Sequence, residues 1–325
     1  MLNRREFAAA VMLAPFVKPA AGRAAAAEWP QRQVRIVFPY AAGGVADASL
    51  RLLGARLSET FGQAFVVECR PGANGVIATE AVARSPADGY TLFGAVTPQI
   101  AIAPATMRVS YDPVRDFVPI SALCLNTFAL VVNANMPVRT VADFVDYVRM
   151  QSKGFAYAEG SAGSISHLAM VLFLKQAGLS GTNVSYKGSM AALMDVVAGH
   201  LPATLALLGE ALEQAETGKI RLVAVTSAQR SLHAPDVPTI GESGFPGFEA
   251  RSWWGLMAPA GTPRPIVDRL AAEVASAARD TKIVKQLSNF AVDPLGNSPA
   301  EFAAMIAADI QQWGGAVKIA GLEIH

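Results

Sequence analysis

From Gln33 onward, short β-branched runs alternate with segments of helical periodicity, and this alternation limits the available folds more than any other feature. Val34 to Phe38 reads as a strand, and Gly43-Gly44 breaks it before a helix with Leu50, Leu53 and Leu57 on one face and Arg51, Arg56 and Glu59 on the other. Gly62 ends that helix. Phe65 to Glu68 and Tyr90 to Ala95 are the next strands, with a helix over Val76 to Arg84 between them. The scheme then repeats. Thr140, with Asp143 in the first turn, caps a helix that buries Val141, Phe144, Val145 and Val148. Strands follow at Gly154 to Ala158, Val184 to Tyr186, Thr204 to Leu208 and Ile220 to Val225. Thr262-Pro263 opens a helix bearing Ile266, Leu270 and Val274, and Ser298-Pro299-Ala300-Glu301 is a capping box ahead of Phe302, Ile306 and Trp313. Regular alternation of this kind predicts an α/β fold with parallel, doubly wound sheets. Because 325 residues exceed what one core usually organises, two doubly wound α/β lobes with a ligand cleft between them are expected.

Hydrophobic residues make up 52% of the chain and charged residues 16%, which raises the question of a membrane span. Gly89 to Met107 and Phe117 to Val138 carry no charge, but the first contains Pro98, Gln99 and Pro104 and the second Pro119, Asn126, Asn133 and Pro137. Lipid would leave those groups unsatisfied, so both runs read as buried strands and turns. Phe117 to Val138 is the expected first crossing between lobes. The return is expected between Val223 and Trp253, where Pro235, Pro238, Gly241, Gly244, Pro246 and Gly247 make an irregular connection. The expected division is a leader over 1–27, a first lobe from 28–125 and 240–325, and a second lobe from 126–239. Lys and Arg number 27 against 26 Asp and Glu, which excludes a nucleic-acid binder driven by bulk charge.

The leader is read from Arg4 and Arg5, the apolar run Phe7 to Val17, and Ala25-Ala26-Ala27 before Glu28. It resembles a twin-arginine signal, although Asn3 stands where Ser or Thr normally precedes the arginines, so the export route stays open. The mature chain is expected to be a soluble, monomeric periplasmic protein without a lipid anchor. Cys69 and Cys124 are too few for a disulfide framework and read as two unrelated thiols, with a bridge between them left open.

Most catalytic signatures are absent: there is no G-x-S-x-G, G-x-x-x-x-G-K, G-x-G-x-x-G or H-E-x-x-H. His167, His200, His233 and His325 are scattered, so no metal site is expected, and no cofactor is implied. Two segments carry a different signal. In Phe38 to Asp47, Gly43 and Gly44 turn backbone N–H groups toward a cleft at a helix N-terminus, which makes a seat for an anion. The bland reading is a tight turn with Asp47 as a dipole partner. Gly160 to His167 repeats the idea, with Ser161 and Ser164 as hydroxyl donors. There the bland reading is a serine cap with His167 packed on the helix flank. Two such seats would clamp a carboxylate without an arginine.

These residues resemble the Bug family, the extracytoplasmic solute receptors of tripartite tricarboxylate transporters. The resemblance spans essentially the whole mature chain. It rests on Phe38-Pro39 with Gly43-Gly44 and Asp47, Glu68 to Ala73, Asp88 to Leu92, Tyr111 to Pro113 with Asp116-Phe117 and Pro119, Gly163-Ser164 with His167-Leu168, Tyr186 to Gly188, Pro235 to Thr239 and Ala258 to Pro263. It implies a periplasmic binding protein of the type 2 architecture that closes over a small organic acid, not an enzyme. The ligand residues it implies are Phe38, Ala42, Gly43, Gly44, Asp47, Thr97, Gln99, Ser161, Gly163, Ser164, His167 and Tyr186. For Tyr186 and Lys187 a role in positioning their loop is an equal reading of this resemblance, and Asp116, Phe117, Trp253 and Trp254 read as structural or hinge residues. Cys69 departs from the family's usual Asn, and Leu201-Pro202 and Ala206 replace a stretch that commonly carries two Asp. That loss of acid disfavours an amino-acid ligand and leaves room for a less polar or aromatic acid. Di- and tricarboxylates also remain open.

The expected partners are the ligand and integral-membrane transporter subunits. A sensor kinase that reads the liganded form is the alternative, and a serine hydrolase built on Ser164 and His167 is a third reading. The leader gives a direct prediction: the intact mass of the exported protein should correspond to a chain starting near Glu28, and a full-length mass in the periplasmic fraction would refute the cleavage site.

Overall fold

The first strand, β1 (Val34–Phe38), is buried at every position but Arg35, because sheet neighbours and helices cover both of its faces. In the computed structural model, which describes residues 29–152, 154–322 and 324, β1 leads through the Gly-rich loop into α1 (Val45–Phe61). Gly62 ends α1 with a left-handed φ of 67° that lets its N–H reach the Ser58 carbonyl. β2 (Phe65–Cys69), α2 (Val76–Ala83) and β3 (Thr91–Val96) follow, and both strands pair in parallel with β1. The expected leader lies outside the described residues.

β4 (Phe117–Asn133) then runs for 17 residues through both lobes. Beyond it come α3 (Val141–Arg149), β5 (Ala156–Glu159), α4 (Ile165–Gln176), β6 (Thr182–Ser185), α5 (Ser189–Ala198), β7 (Ala203–Leu207), α6 (Leu208–Ala215) and β8 (Ile220–Val225). β5 pairs in parallel with β6 and β7. A long irregular segment leads back to β9 (Arg251–Pro259), and α7 (Arg264–Ala277), α8 (Thr281–Ser288), β10 (Val292–Pro294) and α9 (Pro299–Ala320) complete the order. The thread of strands is β2-β1-β3-β9-β4-β7-β5-β6, with β8 and β10 also bonded to β4.

One expectation is corrected. The outer ladders are parallel, but β4 pairs antiparallel with β7, β8, β9 and β10, and β9 is antiparallel to β3. Parallel neighbours require a helical crossover between them. Strands that pass from one lobe to the other have none and run against their neighbours. β10 and the Asp280-capped α8 lacked a β-branched run or a long period and were not foreseen from sequence.

Each lobe is an α/β sheet covered on both faces. In the first, Leu50, Leu53, Leu57, Val267 and Leu270 fill one side, and Phe93, Trp253 and Phe302 the other. In the second, Phe144, Phe173 and Trp313 oppose Leu193, Val196 and Ala206 across the sheet. The uncharged runs are therefore the largely buried strands β3 and β4, the first followed by short helical turns over Pro98–Ile102 and Ala103–Thr106, and no helix among the described residues is long and apolar enough to cross a membrane.

The capping box at Ser298 and Glu301 starts α9, which places Phe302 and Ile306 in the first lobe's core and Trp313 and Val317 in the second's. Between those pairs, buried Asp309 accepts a 2.6 Å hydrogen bond from Trp253 Nε1 on β9. Burial pushes the Asp309 carboxyl up to about 6 from 3.8, against the bond from Trp253 and the charge of Arg251. A raised carboxyl favours folding only in its protonated form, so this contribution is greatest below about pH 4 and is lost as the pH rises through about 6. Asp309→Asn should therefore gain stability relative to wild type between about pH 4 and pH 7, by up to about 3 kcal/mol. Urea unfolding of both proteins across that range checks this, and a pH-independent difference would contradict it.

Candidate functional site

The loop between β1 and α1 ends in Gly44, which caps the helix without a side chain, so the amides of Gly44, Val45 and Ala46 meet no acceptor among the described residues. Gly43 behaves differently from the sequence reading. Its N–H donates to Asp47 Oδ2 at 2.9 Å, so Asp47 fixes the loop from below. Arg51 lies 2.9 Å from Asp47 Oδ1, and the Cys69 thiol donates to the same carboxylate at 3.4 Å. Burial opposes ionisation of Asp47, but the bonds from Arg51, Gly43 and Cys69 outweigh it and hold the carboxyl below its ordinary range. The same burial, together with Asp47, pushes the Cys69 thiol up. Both cysteines are free, Cys69 at this loop and Cys124 in the core.

In the second lobe Ser164 caps α4 by accepting from the His167 backbone N–H at 3.3 Å. The His167 ring is buried and its Nδ1 accepts the Gly163 N–H at 3.1 Å. Burial lowers the imidazole's affinity for a proton, against the charge of Glu159, and a neutral ring suits the acceptor role. Buried Glu159 accepts from Asn183 Nδ2 and from the Ser164 and Ser185 hydroxyls beneath the helix start. The amides of Ile165 and Ser166 meet no acceptor among the described residues. This loop is clamped to the one after β6: Gly188 N–H donates to Gly160 O at 2.8 Å, and a Cβ on Gly160 would stand 2.8 Å from Ser189 N.

Both loops line one cavity of about 940 Å³ between the lobes. Of the residues expected to touch a ligand, Phe38, Gly43, Gly44, Ser161, Gly163 and Ser164 line it. The others are not on its wall. Ala42 sits exposed in the first loop, while Asp47 and His167 support the two loops from behind. Thr97 is fully buried, and its hydroxyl bonds the backbone of Trp253. Tyr186 turns its hydroxyl to Asp195 on α5. Gln99 is buried too, but its Nε2 donates to Tyr40 OH at 2.8 Å and to the Asn74 carbonyl at 2.6 Å, and both of those residues line the cavity. The Ser164–His167 pair has no catalytic alignment, because the hydroxyl meets the histidine's backbone and the ring faces Gly163.

Sequence reasoning passed over Tyr40, Asn74, Asn126, Ser252 and Glu210 as ligand residues and read Trp254 as structural or hinge-related; all six are on the cavity wall. Asn126 and Ser252 did carry a signal, as polar residues inside strands that are otherwise apolar. Ala206 lies in the core beneath the sheet, so its lack of polarity does not reach the cleft. None of the described lining residues is Lys, Arg or His.

Residues 50–322 match the tripartite tricarboxylate transporter family receptor. The protein BugT of Bordetella pertussis is 32% identical over 298 residues, which cover 91% of this chain and 91% of BugT. Among solved structures, Rpa4515 of R. palustris with adipate is 37% identical with a TM-score of 0.78, covering 90% of this chain and 98% of that one. MatC from Rhodopseudomonas palustris with bound malate is 30% identical with a TM-score of 0.74, covering 89% and 100%.

The contrast between two glycines tests the construction of the first-lobe wall. Gly75 has a φ of +87°, and a Cβ there would stand 2.6 Å from Gln99 Nε2. Gly75→Ala should cost about 1–3 kcal/mol and displace the amide that holds Tyr40. Gly44 has a φ of −82° and open space around its Cβ position, so Gly44→Ala should stay within about 1 kcal/mol of wild type. Equal losses in thermal unfolding would contradict this account of the wall.

Proposed function

The chain belongs to the tripartite tricarboxylate transporter receptor family and is a solute-binding receptor, not an enzyme. From that premise we propose that it captures a small carboxylate in the periplasm and presents it to the membrane subunits of a tripartite transporter. One observation carries the reading: two helix N-termini, one in each lobe, direct amides without an acceptor among the described residues at a shared cavity whose described lining holds no cationic side chain. Each N-terminus bears a partial positive charge and free N–H donors, the standard seat for a carboxylate. A ligand that touches both stabilises the closed arrangement by its differential affinity for it, and closure makes the surface that the transporter recognises. The adipate and malate held by two relatives of this architecture support the same ligand chemistry. On this reading Phe38, Gly43, Gly44, Ser161, Gly163 and Ser164 meet the ligand, and Asp47, Gln99 and His167 position the groups that do.

Differential scanning fluorimetry against di- and tricarboxylates, amino acids and aromatic acids tests the proposal. At least one acid should raise the melting temperature by several degrees at saturating concentration. Gly44→Val, which fills the cavity wall, should abolish that rise while leaving the free protein's transition within a few degrees of wild type. The absence of any shift across the panel would contradict the receptor reading.

A further inference from the structure

Among the described residues the cavity wall holds one carboxylate. Glu210, in the first turn of α6, lines the cleft and accepts a 2.6 Å hydrogen bond from the Ser189 hydroxyl. No cationic side chain among the described residues pairs with it. Its place is fixed, because the preceding Gly209 lies so close to the chain at Phe290 that a Cβ would stand 2.6 Å from the Phe290 carbonyl oxygen. The β4–β7 pairing ends at Phe128 opposite Leu207, and α6 then carries Glu210 onto the cavity that Asn126 of β4 also lines.

Asn126 supplies a second, independent signal. It is 4% exposed, lines the same cavity, and its Oδ1 is buried without a donor. An unpaired buried acceptor costs roughly 1–3 kcal/mol, which a ligand donor recovers. Opposite Asn126 on β9 stands Ser252, and two residues on is Trp254, whose buried Nε1–H also lacks a partner. Glu210 is thus an acceptor only and the Asn126 Oδ1 an acceptor in want of a donor, the Asn126 amide nitrogen and the Trp254 indole can donate, and the Ser252 hydroxyl can do either.

A second ligand carboxylate placed here would face Glu210 with no lining cation to offset the repulsion. An ammonium would instead give Glu210 the counter-charge it lacks and still have protons for Asn126 Oδ1 and the Ser252 hydroxyl. Resting on the receptor reading above, we infer that the ligand is an amine-bearing carboxylate: its carboxylate sits on the helix N-termini, and its ammonium is bound by Glu210 and Asn126. Burial holds the Glu210 carboxyl above its ordinary range, with Glu213 adding to the effect and the Ser189 bond opposing it; a bound cation reverses that tendency. The inference runs against the sequence reading, which removed acid from this wall at Pro202 and Ala206. The acid re-enters a few residues later, on α6.

Isothermal titration calorimetry at neutral pH with length-matched pairs, succinate with 4-aminobutyrate, adipate with 6-aminohexanoate, and glutarate with glutamate, tests this on wild type and Glu210→Gln. In wild type the amine-bearing member of at least one pair should bind about tenfold or more tighter than its partner. In Glu210→Gln that preference should fall by about tenfold, and the unliganded melting temperature controls for folding. Asn126→Asp is a second variant that should strengthen amine binding. Dicarboxylates binding as tightly as their amine partners in wild type, or a preference unchanged in Glu210→Gln, would overturn the inference and leave the carboxylate receptor standing. Failure of every compound to bind would overturn both.

Discussion

The antiparallel ladder between β4 and β9 is the element on which the rest of the structure depends. It runs from Phe117 opposite Pro259 to Thr127 opposite Arg251, and its approach is close enough that a Cβ on Gly255 would stand 2.4 Å from the Ser121 carbonyl oxygen. The far half of β4 continues into the second sheet against β7 and β8, so one strand is bonded in both lobes. The cleft floor is the stretch of this ladder between the two cores. Thr97 bonds the backbone of Trp253, and Asp309 accepts from its indole, tying β3 and α9 to the same place. The helix loops on either side are thereby aimed at a common space.

Electrostatically the site is built from dipoles. The charged groups nearest the two loops are turned inward: Asp47 is consumed by Gly43, Arg51 and Cys69, and Glu159 by a set of hydroxyl and amide donors. What the two loops themselves offer a ligand, on the proposed reading, is the amides of two helix starts, which seat an anion at small desolvation cost. A guanidinium or ammonium in the same position would need dehydration on every closure. The low share of charged residues follows from two doubly covered sheets, and the near-neutral balance fits a site without a cluster of cations.

Local signals made much of the fold legible. Val34 to Phe38 and Ile220 to Val225 are strands as their β-branched runs indicate, Gly62 is a left-handed helix end, and Thr140 and Ser298 head full capping boxes. The direction of β4 and β9 was hidden, because hydrophobic pattern does not encode strand polarity. In the site, the two Gly-rich helix starts could be read because their chemistry lies within ten consecutive residues. Asn126, Ser252, Trp254 and Glu210 could not, since only the β4–β9 register and the fold around the cavity bring them to one wall. Gln99 and His167 show a further limit. Residue type suggested ligand contact, whereas burial makes each of them a support for the group in front of it.

The central claim is that amides from both lobes hold one anion. Amide hydrogen exchange of the mature protein, with and without a saturating acid that raises its melting temperature, reads those amides directly. The account predicts slowed exchange at Gly44, Val45 and Ala46 together with Ile165 and Ser166, the helix-start N–H groups without partners in the free chain. Protection confined to one of the two loops, or spread through the sheets with neither loop affected, would contradict it.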